Sequence, residues 1–166
     1  MGHNICAIVG KTSINESKVK EYQLAVAFEN EYAVVILDQE SIDYWSEKLN
    51  LSYQSVSENI NWACELVFFW AKELGLEKYG IIQTDYFGGM GSQWASLYEN
   101  GKPLLTEKSI NEVLQALGVS RTQEKDEFET INLDEYRESE YYYWDTSNFA
   151  DKKSNMIAGK IPKNSY

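Results

Sequence analysis

Histidine, cysteine and positive charge are all scarce in this chain of 166 residues, and each scarcity excludes something. With one histidine, His3, and two cysteines, Cys6 and Cys64, in no Cys-x-x-Cys pair, there are too few soft donors for a zinc site. Both cysteines sit inside apolar runs, and Met1-Gly2-His3-Asn4 carries neither a basic stretch nor a small-residue cleavage site. Buried, reduced thiols in a cytoplasmic protein are therefore expected, not a disulfide. No apolar run approaches the ~20 residues of a membrane span, which argues against a membrane protein. Lys and Arg number 15 against 26 Asp and Glu, a net charge of −11. A surface of that sign repels phosphates, so nucleic acid is not an expected partner, whereas a basic protein is. There is no Gly-Lys-Ser/Thr after a glycine loop and no Gly-x-Ser-x-Gly elbow. The expectation is no catalytic residue, no metal and no cofactor.

What is present describes a folded chain. Hydrophobic residues make up 43% and aromatics 14%, enough to exclude disorder as the default. The length suits one domain, placed over residues 1–150, followed by a basic tail over 151–166 that is expected to pack loosely. The charge is uneven: residues 122–150 hold 2 basic and 9 acidic groups, and the tail holds 4 basic and 1 acidic.

Residues 5–9 are a short apolar run that reads as a strand. Residues 13–22 read as a short helix or a loop. Two β-prone runs, 23–28 and 32–37, flank Glu29-Asn30-Glu31 and read as a hairpin. Asp38 or Ser41 caps a helix running to Leu49. Residues 55–74 give the strongest helical spacing, with Val56, Ile60, Ala63, Val67, Trp70 and Leu74 on one stripe and Gly75 as its stop. Strands follow at 79–85 and 92–98. Asn100-Gly101 marks a type I′ turn into a return strand at 102–105. Thr106 or Ser109 then caps a helix over 110–117 closed by Gly118, and residues 119–127 read as a loop. This order predicts an α+β fold, a mostly antiparallel sheet with helices packed on one face.

Three strings stand out: Asp85-Tyr86-Phe87-Gly88-Gly89-Met90-Gly91-Ser92-Gln93, then Ile110-Asn111-Glu112-Val113-Leu114-Gln115-Ala116-Leu117-Gly118-Val119, then Asp126-Glu127-Phe128 with Arg137 after it. Together they resemble a family of small bacterial proteins that share D-Y-F-G-G-x-G-x-Q, I-N-x-x-L-x-x-L-G-V and D-E-F segments. The resemblance covers about residues 79–137; it implies a bacterial source and a common fold, and no activity. Separately, Cys6-Ala7-Ile8-Val9-Gly10 resembles the start of N-terminal-nucleophile glutamine amidotransferases. That chemistry would need residues 1–5 removed, Ala7 stands where the family has glycine, and no partner motif follows. A core strand is the expected place of Cys6, and a lone His3 near the terminus is expected in solvent.

Two segments compete for function. In the glycine string, Asp85, Tyr86 and Gln93 flank Gly88, Gly89 and Gly91, either as a ligand loop with exposed backbone N–H groups or as a tight hairpin in which glycine serves geometry alone. Residues 124–145 mix acidic groups with Phe128, Tyr136, Tyr141, Tyr142, Tyr143 and Trp144. They read equally well as a last strand or as an interaction surface, because aromatics anchor interfaces and acidic groups steer a basic partner. On the second reading Asp134, Glu135, Glu138, Glu140, Tyr141, Tyr143 and Trp144 bind the partner, and the leading expectation is an immunity protein that occludes the basic active site of a cognate bacterial toxin. A small-ligand binder or enzyme using the glycine loop is the alternative. A homo-oligomer pairing through strand edges or the Trp-rich helix is a third reading.

Overall fold

A strand that is apolar on both sides of its pleat has no face to offer water, so it belongs in the middle of a covered sheet. β1 (Cys6–Lys11) is such a strand. The computed structural model, which describes residues 2–137, inserts it between β3 (Tyr32–Leu37) and β4 (Lys78–Phe87), with Ile8 opposite Val35 on one side and Ile81 on the other. β2 (Ala25–Glu29) forms a hairpin with β3, and β5 (Met90–Glu99) and β6 (Lys102–Lys108) extend the other side. The result is one antiparallel sheet in the order β2-β3-β1-β4-β5-β6.

Alternation along the strands feeds two cores. Cys6, Ile8, Val35 and Ile81 face one way, against α1 (Glu16–Tyr22), α2 (Gln39–Leu49) and α3 (Glu65–Glu73), which contribute Tyr22, Trp45, Val67 and Trp70. Ala7, Val9, Val34, Ile82 and Leu97 face the other way, against α4 (Ile110–Ala116), α5 (Glu127–Thr130) and a 3-10 turn, Leu133–Glu135. The α+β class and antiparallel sheet are as expected, but helices cover both faces. The reason is in β1 and β3: with β3 buried along its whole length, neither face can be left wet.

The helix expected over 55–74 shortens to Glu65–Glu73. Ahead of it the serines and asparagines take the backbone for themselves. The Ser55 hydroxyl donates to the Ile60 carbonyl at 2.5 Å and accepts from the Ser57 and Ala63 N–H groups, while the Val56 N–H donates to the Ala63 carbonyl. Ile60 and Trp62 are still buried, but Val56 is 77% exposed. Of the alternative caps, Asp38 accepts from the Ser41 N–H and Ser109 from the Glu112 N–H. Cys6 and Cys64 are buried in the first core with no disulfide between them, and burial pushes both thiols above their ordinary pKa, the opposite of an activated nucleophile. The end of the expected domain, 138–150, and the basic tail, 151–166, lie outside the described residues.

The two cores and the broken helix predict a contrast. Ile8→Ala should cost about 2–5 kcal/mol in urea denaturation. Val56→Ala, at the head of the expected apolar stripe, should stay within about 0.5 kcal/mol. Equal, large losses would restore the longer helix.

Candidate interaction hairpin and its flanking pocket

The glycine string builds the far end of the β4–β5 ribbon. Pairing runs in register from Lys78 opposite Glu99 to Phe87 opposite Met90, and Gly88 and Gly89 close the turn. Both have left-handed φ, +62° and +80°, as a type I′ turn requires. Gly91, at φ +153°, answers a different need: a Cβ there would come within 1.9 Å of the Asp85 carbonyl oxygen. Glycine at these positions sets the shape of a tight hairpin.

That hairpin has two unlike faces. Alternation puts Asp85 and Phe87 of β4 on the same side as Met90, Ser92 and Trp94 of β5. Asp85 is exposed, Phe87 is 80% exposed and its cross-strand neighbour Met90 79%. Two large apolar side chains left this bare side by side at a hairpin tip are unusual for a folded surface. The other face, with Thr84, Tyr86 and Gln93, looks onto Ile110, Asn111, Asp126 and Phe128 across a cavity of about 250 Å³.

The three strings set apart in the sequence therefore meet at one place, and their polar atoms are tied to each other. Gln93 Oε1 accepts from the Ile110 N–H at 2.8 Å, fastening the start of α4 to β5. Asn111 Oδ1 accepts from the Phe128 N–H at 2.9 Å, and its Nδ2 donates to Asp126 Oδ2 at 3.1 Å. Asp126 also caps α5, accepting from the Glu129 N–H in a capping box. These atoms are engaged in joining elements, which leaves few polar groups to hold a ligand.

His3 is the residue that sequence reasoning misplaced. It is 8% exposed, its ring tilted against Phe128 at 5.5 Å. Nε2 lies 3.0 Å from the Leu133 carbonyl, which can only accept, so Nε2 carries the proton and Nδ1 accepts from the Thr84 hydroxyl at 2.8 Å. Thr84 Oγ1 in turn accepts from the Ile5 N–H. Main-chain bonds complete the fastening: His3 and Tyr86 exchange both N–H···O bonds at 2.9 Å, and the Asn4 N–H donates to the Arg137 carbonyl. The partners lie 81 and 130 residues away in sequence, so nothing local announced the contact.

Through His3 the 3-10 turn is held beside the hairpin, and it presents Asp134, exposed, and Glu135, half-buried. Tyr136 is not an anchor: it is fully buried and donates to Glu29 Oε1 at 2.7 Å. Phe128 belongs to the pocket wall. Glu138, Glu140, Tyr141, Tyr143 and Trp144 lie outside the described residues. Residues 2–137 hold 11 Lys and Arg against 22 Asp and Glu, so the fold itself carries a charge of −11. Among the described residues no three His, Cys, Asp or Glu side chains gather as metal ligands, and no helix is long and apolar enough to cross a membrane. Comparison with known protein families, with curated proteins and with solved structures finds no match.

Burial is the main force holding the His3 pKa below 6.5, and the nearby Arg137 charge acts the same way, against the opposing pull of the Leu133 carbonyl and Asp134. Above pH 6.5 the ring is neutral folded or unfolded, and its contribution is complete. Below 6.5 the unfolded chain takes up a proton that the folded one resists, so stability falls as the pH drops toward the folded pKa. Denaturant midpoints measured between pH 7.5 and 5 should decline below 6.5, and His3→Gln should flatten that decline. An unchanged slope in the variant would mean that His3 does not titrate this way.

Proposed function

We propose that this chain is a protein-binding protein that neutralises a basic partner, acting in the cytoplasm as an immunity protein does when it occludes the active site of a cognate bacterial toxin. The observation that carries the reading is the bare Phe87–Met90 pair at the tip of a tight glycine hairpin, in a fold whose own charge is −11. A toxin that handles nucleic acid must be basic around its active site. An acidic inhibitor is drawn to such a site and associates faster for it. The acidic field supplies the approach, and the apolar anchors slow departure. Burying side chains of this size contributes roughly 1.5–3 kcal/mol each. Asp85 supplies charge beside the anchors, Asp134 and Glu135 supply it on the opposite face of the sheet, and Glu138, Glu140, Tyr141, Tyr143 and Trp144 are further partner contacts of the same proposal. Kinship with the small bacterial proteins that share the glycine string belongs to the same proposal.

The alternative, a ligand site or enzyme at Gly88–Gly91, has less to support it. Added Cβ atoms at Gly88 and Gly89 would meet nothing within 4 Å, so those glycines cradle no neighbouring group. The pocket beside them spends its polar atoms on joining α4 and α5 to the sheet.

Binding to the product of a toxin gene adjacent to this one, followed by surface plasmon resonance, tests the reading. The double variant Phe87→Ala/Met90→Ala should weaken binding by at least tenfold, mainly through faster dissociation, and raising salt should slow association. Full affinity in the double variant would remove the hairpin from the interface, and the lack of any basic partner would sink the immunity reading as a whole.

A further inference from the structure

At the opposite end of the β4–β5 ribbon from the Phe87–Met90 tip lies a cleft of about 640 Å³. That is within the ~300–1,000 Å³ typical of small-molecule sites. Its apolar wall is formed by Leu51, Phe68, Phe69, Leu76 and Tyr79. The aromatic part is a ladder: Phe68 tilts on Tyr98 at 4.9 Å, and Tyr98 stacks on Tyr79 at 5.8 Å and 23°. The β5–β6 turn at Asn100-Gly101 and the bend at Gly75 bound the opening, and a Cβ at either glycine would meet nothing within 4 Å.

One atom in that wall is out of place. Tyr79 is 1% exposed, and its hydroxyl has no hydrogen-bond partner among the described residues. Leaving a buried hydroxyl unmatched is unfavourable by an amount comparable to a whole hydrogen bond. Desolvation first, then the neighbouring Tyr98, push this phenol up to about 12, so at neutral pH it is a donor in need of an acceptor. The rim adds Lys72, exposed on α3, together with Glu65 and Glu77. The Glu65 carboxylate already accepts from the Ser52 N–H at 2.9 Å.

We propose that this cleft binds a planar aromatic carboxylate, its ring laid against Phe68, Phe69 and Tyr79 and its oxygens accepting from the Tyr79 hydroxyl and the Lys72 ammonium. Among the described residues Lys72 is the one cation on a rim that also carries Glu65 and Glu77, so a monoanion must pair with it directly and a dianion is disfavoured. Aromatic walls suit a flat ring in offset or edge contact. Tyr79 lines the cleft while its hydroxyl is buried, so the proposed contact requires a half-buried ring of the wall, Phe68 or Phe69, to turn aside. The site is independent of partner binding at the hairpin.

Isothermal titration of the full chain with 2-naphthoate, with naphthalene-2-carboxamide as the uncharged comparison, tests this. Saturable 1:1 binding is expected, tighter for the carboxylate. Tyr79→Phe should raise the melting temperature of the free protein, because it removes the unmatched hydroxyl, and yet weaken 2-naphthoate about tenfold. Lys72→Glu, a change at an exposed position, should weaken the carboxylate several-fold and leave the carboxamide unchanged. No saturable binding up to millimolar 2-naphthoate would overturn the proposal, as would equal affinity in wild type and both variants. If Tyr79→Phe fails to fold, the Lys72→Glu comparison decides alone.

Discussion

Everything else in this fold depends on the central place of β1. A strand without a polar face, paired on both edges, demands cover above and below. α1 to α3 meet that demand on one side, and α4, α5 and the 3-10 turn on the other. Because His3 lies three residues ahead of β1, it is carried inward with the strand, while Gly2 stays half-buried and Asn4 exposed. His3 is thereby set between β4 and the last described turn. The buried histidine follows from the position of β1.

The same geometry explains why the hairpin tip stands bare. β1 pairs with β4 only from Gly80 to Gln83, and β6 reaches β5 only as far as Ala95, so the two long strands run on past their neighbours. His3 supports one edge of this extension at Tyr86 and Gln93 ties its base to α4, but Phe87 and Met90 lie beyond both. The Gly88-Gly89 turn sets the cross-strand register that places Phe87 opposite Met90. The polar network behind the tip fastens α4 and α5 to the sheet.

The two ends of the ribbon thus differ in kind. One end is a hairpin tip that leaves Phe87 and Met90 exposed. The other is concave and aromatic, with an unmatched donor in its wall. Cys6, which the resemblance to N-terminal-nucleophile enzymes would have put at the centre, takes no part in either; it fills the first core together with Cys64.

Much of this was legible in the residues. The hairpin of β2 and β3, the strands around Asn100-Gly101, the Asp38 and Ser109 caps and the Gly-Gly turn follow from local rules. Left-handed turns need glycine or asparagine, and caps need a short acceptor side chain. The antiparallel α+β class follows from the order of those elements. The chain could not by itself show that residues 55–64 abandon the helix, because whether Ser55 bonds its neighbours' backbone depends on where Ile60 and Trp62 must be buried. Nor could it show that Tyr136 turns inward to Glu29 while Phe87 turns outward, since both are aromatic residues in polar surroundings. The sequence alone determined which segments are strands, turns and capped helices, since those depend on residues within a few positions of one another. Tertiary structure alone decided that both sheet faces are covered, that His3 is buried, and that the three scattered strings close one pocket. Those outcomes rest on contacts between residues as far as 130 positions apart, which no local pattern encodes.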